Sequence, residues 1–457
     1  MTPRHRRPSA RLLALSLSSL TVGALAVAGL SAGPAAAAET GSGSIIGAIT
    51  APANVPGTHR YVVQAWSMDG LPRDATLVAS DDSELASGAR GGYDITGLAP
   101  GSYVVRVVEQ PADSAVPAVG DEFWRETDWV RASERVVVGE TAVKGIDFTP
   151  SAYAFSSARI EGPDRYGTSV ATTERFEPGL PVLYIASGEK WADALSAGPA
   201  ATIKGGALLL THPDALPTAV RDEIVRLAPK KTIVVGSDLT VTDAVYDQID
   251  ALVGEVTRIG GDDRYDTSRR IVADAFPAGA GDQVFLATGG NFPDALSAAP
   301  VAGRRGEAVL LVDGALDSLG TATEEAIARL APSTAVVLGQ TPSISAGIAD
   351  ELVDSDLVDS VERIGGDSRY VTSRLVNEAF PPAQLVDSTY LASGEGFADA
   401  LSGATAAASQ GRPISLSRPD CVPRETVDSL KRLHLDYAFV LGSERTLSQK
   451  VARVTAC

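Results

Sequence analysis

Arg159 to Ser169 reads RIEGPDRYGTS, and the same text returns as RIGGDDRYDTS at Arg258 to Ser268 and as RIGGDSRYVTS at Arg363 to Ser373. A second block follows each time: IASGEKWADALSA from Ile185, LATGGNFPDALSA from Leu286 and LASGEGFADALSG from Leu391. A third runs in step with them, with ALLLTHPDALP from Ala207, AVLLVDGALDS from Ala308 and PISLSRPDCVP from Pro413, and then TIVVGSDLT, AVVLGQTPS and AFVLGSERT. Blocks that keep both order and spacing define three copies of one unit, at residues 159–257, 258–362 and 363–457.

Within a copy, short apolar runs alternate with longer amphipathic ones, the pattern of a parallel sheet covered by helices. In the first copy the strands are expected over Val182–Ala186, Ala207–Leu210 and Thr232–Val235. The helices are expected over Asp193–Ile203, Thr218–Leu227 and Thr242–Leu252. Gly188 and Gly236 sit just past strand ends, where the backbone turns sharply. The order βαβαβα implies a layered, flavodoxin- or Rossmann-like fold with right-handed crossovers.

Residues 39–150 differ in kind. Short β-rich runs recur there every 10 to 15 residues between Gly, Pro and Asp. Seven strands are expected, over 45–50, 61–66, 75–79, 93–96, 103–108, 135–138 and 143–148, and a β-sandwich is the architecture they suit. The stretch GGYDITGLAPGSYVVRVVE, Gly91 to Glu109, resembles the prealbumin-like or carboxypeptidase-regulatory-like sandwich. Related surface domains carry a Lys to Asn or Asp isopeptide bond; Lys144, the one lysine of this segment, has Asp147 three residues on, which departs from that pattern. The whole is a multidomain chain: an all-β sandwich, a linker at 151–158 and three tandem α/β repeats.

Arg4, Arg6, Arg7 and Arg11 precede an apolar run from Leu12 to Leu30 and small residues ending Ala36-Ala37-Ala38, which reads as a signal peptide over residues 1–38. Without it, 35 basic residues face 57 acidic ones, a net charge of −22. Such a field opposes nucleic acid and anionic membrane, and no later stretch is apolar enough to span a bilayer. The two cysteines, Cys421 and Cys457, read as one disulfide in an exported chain.

An enzyme needs a nucleophile, an acid–base pair or a metal. Of the histidines outside the signal segment, His59, His212 and His434 are scattered, and neither HExxH nor CxxC occurs. No calcium loop or phosphate-binding glycine loop follows a strand. Ser187-Gly188-Glu189-Lys190 has the SxxK spacing, but its SDN and KTG partners are absent and the other copies read TGGN and SGEG. No catalytic residue, metal or cofactor is therefore expected.

The triplicated polar residues remain. Asp193, Asp294 and Asp399 fall at the start of a predicted helix, where a carboxylate complements the dipole and caps free N–H groups. Arg165-Tyr166, Arg264-Tyr265 and Arg369-Tyr370 admit two readings. The guanidinium can clamp a carboxylate such as Asp164 or the helix-start aspartates while the ring packs below it. Alternatively, the three pairs bind phosphate or uronate groups on a polymer. The blocks together resemble the type 2 cell-wall-binding repeat of Gram-positive surface proteins over residues 159–457. One departure is a second Gly after the third strand, here Ser237, Gln340 and Ser443. The resemblance implies a pseudo-threefold array that holds a secreted protein non-covalently to a cell-wall polysaccharide or teichoic-type anionic polymer while a partner domain is displayed. An exported wall hydrolase and a soluble carbohydrate- or phosphate-binding protein are the alternatives.

Overall fold

Alternation in the first hundred described residues produces strands, and apolar runs punctuated by glycine in the rest produce a parallel α/β array. The computed structural model describes residues 42–68, 74–111, 116–125, 133–383 and 385–457, so the expected signal peptide lies outside the described residues. The sandwich strands are β1 (Gly43–Thr50), β2 (Thr58–Ser67), β3 (Thr76–Ala86), β4 (Arg90–Leu98), β5 (Gly101–Glu109), β6 (Glu122–Phe123), β7 (Val136–Val138) and β8 (Val143–Lys144). One sheet has the order β4-β1-β8; the other has the order β3-β2-β5-β6, with β7 also on β5. Ile45, Ile49, Tyr93 and Ile95 from the first meet Tyr61, Val63, Val105 and Val107 from the second in one core.

Strand β5 departs from half-buried alternation: Tyr103 to Glu109 is buried on both faces. The cause is tertiary. Its outward Val104 packs with Trp66 and Phe123 against Leu385 of the third repeat. Arg106 beside it is 2% exposed and ion-paired to Asp121 at 3.1 Å.

The array begins with β9 (Ser156–Ile160). The first repeat continues as α1 (Arg165–Thr173), β10 (Leu183–Ser187), α2 (Ala192–Ile203), β11 (Ala207–Thr211), α3 (Thr218–Leu227), β12 (Thr232–Val235) and α4 (Asp243–Asp250). The second comprises β13 (Val256–Ile259), α5 (Arg264–Ala275), β14 (Gln283–Thr288), α6 (Pro293–Arg305), β15 (Ala308–Val312), α7 (Thr321–Leu330), β16 (Thr334–Leu338) and α8 (Ala346–Asp354). The third comprises β17 (Ser360–Ile364), α9 (Arg369–Ala379), β18 (Ser388–Ser393), α10 (Ala398–Ser409), β19 (Ile414–Ser417), α11 (Arg424–Arg432), β20 (Tyr437–Leu441) and α12 (Gln449–Ala452).

The three sheets have the orders β11-β10-β12-β13, β15-β14-β16-β17 and β19-β18-β20-β9, with every pairing parallel. Each unit therefore takes its fourth strand from the RIGG text of the next repeat, and the third takes it from the first. The folded unit is offset from the sequence repeat by one strand, and the array closes into a ring. This edge strand and the helix after it, α1 in the first copy, were not among the elements expected from the sequence. Val256 to Ile259 is only half-buried throughout, so it carries no apolar run to mark it.

At the centre, α2, α6 and α10 pack on one another. Small residues let them approach: Gly198 lies against Thr405 and Ala299, and Gly303 against Thr202 and Ala408. Their alanines and leucines join the inner faces of all three sheets in one continuous core. Cys421 and Cys457 are brought together with Cα atoms 5.0 Å apart, within disulfide range.

Candidate functional site

In an order such as β11-β10-β12 the chain leaves β10 and β12 toward opposite sides, so a crevice opens beyond their C-terminal ends. The neighbouring repeat borders that crevice. Between the first and second units lies a cleft of about 340 Å³, lined by Glu189–Asp193, Ser237, Leu239, Thr240, Gly261–Arg264 and Thr267. Between the third and first, the same positions line one of about 410 Å³, including Gly162–Arg165, Glu395–Asp399, Ser443, Arg445 and Thr446.

Asp193 and Asp399 sit on the walls of these clefts, and Asp294 holds the matching position in the second unit. Asp193 is in the first turn of α2, whose N-cap Trp191 makes no side-chain cap. Its carboxylate is hydrogen-bonded to Thr240 of its own unit and Thr267 of the next, with Arg264 nearby. Asp294 repeats this with Ser343, Thr372 and Arg369, and Asp399 with Thr168 and Arg165. Burial raises all three carboxyls above the usual range, and these partners pull them part of the way back. The aspartates thus tie each unit to the start of the following helix, a role beyond the dipole complement expected of them.

Gly236, Gly339 and Gly442 make room for this. Each has a left-handed φ, +96°, +87° and +86°. A Cβ would stand 2.6 Å from the Asp193 Oδ2 at position 236 and 2.5 Å from the Asp294 Oδ2 at position 339. Close backbone approach therefore rests on a single glycine, and Ser237, Gln340 and Ser443 follow without disturbing it.

The Arg-Tyr pairs straddle the unit boundaries. Arg165 donates to the Gly188 carbonyl at 2.6 Å, Arg264 to that of Gly289 at 2.6 Å, and Arg369 to that of Gly394. Each guanidinium also lies over a ring of the preceding unit: Arg165 over Phe397 at 5.9 Å, Arg264 over Trp191 at 5.2 Å and Arg369 over Phe292 at 5.8 Å. The rings meet edge to face, Trp191 with Phe292 at 6.1 Å and Phe292 with Phe397 at 5.9 Å. The tyrosines pack on the strand-end glycines, where a Cβ at position 188 or 394 would come within 2.6 Å of Tyr166 or Tyr370. Burial, then nearby carboxylates, push the Tyr166, Tyr265 and Tyr370 hydroxyls up. Asp164 does not pair with an arginine; it caps α1, accepting from the Tyr166 and Gly167 amides at 3.0 and 2.8 Å.

Three further sets of supports escaped the reading of single residues. Arg159, Arg258 and Arg363 reach from the edge strand to the carbonyls of Gly442, Gly236 and Gly339 at 2.6, 3.3 and 3.0 Å. Ser169, Ser268 and Ser373 accept the amides of Leu210, Leu311 and Leu416 at 2.9, 2.9 and 3.1 Å. The aromatic at 191, 292 and 397 is the third. All recur at fixed places in the quoted blocks, so the signal was recurrence itself.

The SxxK spacing does not make a nucleophile. Ser187 is buried and accepts the Glu189 and Lys190 amides at 3.1 and 3.3 Å, while the Lys190 amine donates to the Leu239 carbonyl at 2.8 Å. Among the described residues no group of three or more His, Cys, Asp or Glu side chains could hold a metal ion, and no helix is long and apolar enough to cross a membrane.

Residues 159–246, 258–349 and 363–452 match the family described as cell wall binding domain 2. Over 307 residues the chain is 29% identical to the N-acetylmuramoyl-L-alanine amidase LytC of Bacillus subtilis (strain 168), covering 67% of this chain and 59% of that protein. It is 26% identical to the amidase enhancer of the same organism over 295 residues, 64% of this chain and 39% of that one. The chain thus spans less than two thirds of either relative. Among solved structures, Cwp6 from Clostridium difficile superposes with a TM-score of 0.59 at 17% identity, covering 90% of this chain and 68% of that one. Cwp8 from the same organism gives 0.58 at 21%, covering 78% and 59%. These two likenesses speak for the fold.

Proposed function

The chain belongs to the cell wall binding domain 2 family, and from that premise we propose that it is an exported surface protein held non-covalently to a cell-wall glycopolymer by its three-unit ring. The carrying observation is the clefts at the strand-end crevices, built from the same residues at successive unit boundaries. The polymer lies along them, with Arg165 and Arg264 at their edges and Arg369 at the matching position of the remaining boundary. Each arginine donates a hydrogen bond to a glycine carbonyl and retains other N–H donors for a phosphate or uronate. The tyrosines support the loops from beneath rather than contact the ligand.

The sandwich docks before the starts of β18 and β20, through Leu385 and His434, so it occupies the end of the third unit opposite the clefts. A wall-bound ring would display it outward. Oxidation of Cys421 and Cys457 belongs to the same reading, as does removal of residues 1–38 on export. The test is retention of the purified chain on isolated walls, before and after anionic polymers are removed and with and without chelator. Loss on stripped walls supports polymer recognition; equal retention overturns it. The wall-hydrolase alternative draws on the amidase among the relatives, and clearing of a wall suspension is its separate readout.

A further inference from the structure

Resting on that reading, we propose that the clefts are unequal, and that the one between the third and first units, opened by Gly396 and edged by Arg165 and Arg445, holds an anionic substituent of the wall polymer.

Two positions separate this cleft from the others. The first is the residue before the aromatic, Lys190, Asn291 and Gly396 in the three copies. In the first cleft the Lys190 side chain reaches to the Leu239 carbonyl at 2.8 Å and fills the space between these two lining residues. At Gly396 an added Cβ would meet nothing within 4 Å, so the corresponding space is open. The volumes agree, about 410 Å³ against about 340 Å³ for matching lining positions.

The second is the residue three past the left-handed glycine, Leu239, Pro342 and Arg445. Only the third copy places a cation there. Arg445 is exposed and has no hydrogen bond or ion pair among the described residues, although it lines the cleft. Arg165, on the facing repeat, is also exposed.

The carboxylates around them are engaged. Asp164 caps α1, Asp399 is held by Thr168, Glu395 by the Tyr370 hydroxyl, and the neighbouring Glu444 accepts from Gln449. Between these hydrogen-bonded carboxylates, the two guanidinium groups offer directed donors to one open cleft, suited to charge-assisted hydrogen bonds from a phosphodiester or a carboxylate. The first cleft is bordered by Asp262 and Asp263, where the third-to-first cleft has Pro163 and Asp164, so it carries one carboxylate more against an anion.

The test measures depletion of the full chain by isolated walls. Arg445→Ala is expected to weaken binding about tenfold, the scale of one charge-assisted contact. Gly396→Gln fills the open space without changing charge and is expected to weaken it as well. Arg221→Ala, which removes an exposed arginine from α3 outside the clefts, is the control and leaves binding unchanged. Unaltered thermal unfolding of each variant shows that the fold is kept. Wild-type affinity for both cleft variants overturns the inference, whereas a wild-type chain that walls do not retain overturns the function it rests on. Hydrofluoric acid removes phosphodiester-linked polymer and carbodiimide amidation blocks carboxylates; loss of the Arg445-dependent part after one of these names its source. Persistence after both overturns the anionic assignment.

Discussion

At the scale of single residues, most of what recurs in this chain is accounted for by one joint, made wherever one unit meets the next. The left-handed glycine admits the aspartate, the aspartate holds the threonine of the following repeat, and the arginine beside that threonine stacks on the ring preceding the aspartate. Gly339→Ala should therefore destabilise the protein by about 2 kcal/mol or more, since an L-residue at φ +87° alone costs roughly 1–2 kcal/mol and the new Cβ would crowd Asp294. Urea unfolding checks this. Asp294→Asn tests the electrostatics. Burial holds the folded Asp294 carboxyl above its unfolded value, so its contribution is full below the unfolded pKa and is lost as pH rises through the folded one. The asparagine variant lacks that loss. Its stability relative to the parent should improve from about pH 4, near the unfolded carboxyl's pKa, upward through the folded value, as unfolding curves at several pH values would show. A deficit that grows with pH would contradict the burial argument.

At the scale of elements, the decisive feature is the fourth strand of each sheet. β9 pairs with β20 from Ser156↔Tyr437 to Ile160↔Leu441, and Arg159 adds bonds to Gly442 and Leu447. A chain that starts at Glu161 lacks this strand and leaves the backbone of β20 unpaired along an apolar sheet. Unpaired edges seek partners. Such a chain should lose third-unit stability and self-associate, seen as earlier unfolding and a larger species in sedimentation, and an unchanged monomer would argue against ring closure through β9. The expected β10, β11 and β12 fall within a residue or two of their observed bounds because they are buried apolar runs bounded by glycine or polar turns. β9, β13 and β17 were not legible, because a half-buried edge strand answers to its neighbour in space rather than to its own pattern.

At the scale of the whole molecule, the sandwich is fastened to the third unit by a buried polar network. Asp121 is ion-paired to Arg106 at 3.1 Å and hydrogen-bonded to the His434 Nδ1 at 2.8 Å. Burial pushes the Asp121 carboxyl up, but His434 and Arg106 pull it further down, while burial and the charges of Asp121 and Asp387 hold Asp436 at about 8. The third repeat is specialised for this contact: His434 and Asp436 stand where the first repeat has Ala228 and Lys230 and the second Ala331 and Ser333. Asp121→Ala would leave Arg106 buried without this partner and should destabilise the docked state by roughly 3–5 kcal/mol. The expected result is separate unfolding of sandwich and ring, and faster proteolysis between them.

The sequence by itself determined the number of units, their α/β class, the β character of the first domain and the residues that recur, because repetition and short-range periodicity are written locally along the chain. It marked Asp193, Arg165 and their counterparts without saying what they touch. Only the tertiary structure decided that these residues join different units, that the ring closes through β9, and that β5 is buried on both faces. Only it separated an open cleft from a filled one. Those outcomes depend on contacts between residues far apart in the sequence, and no local propensity records which surfaces of the chain will meet.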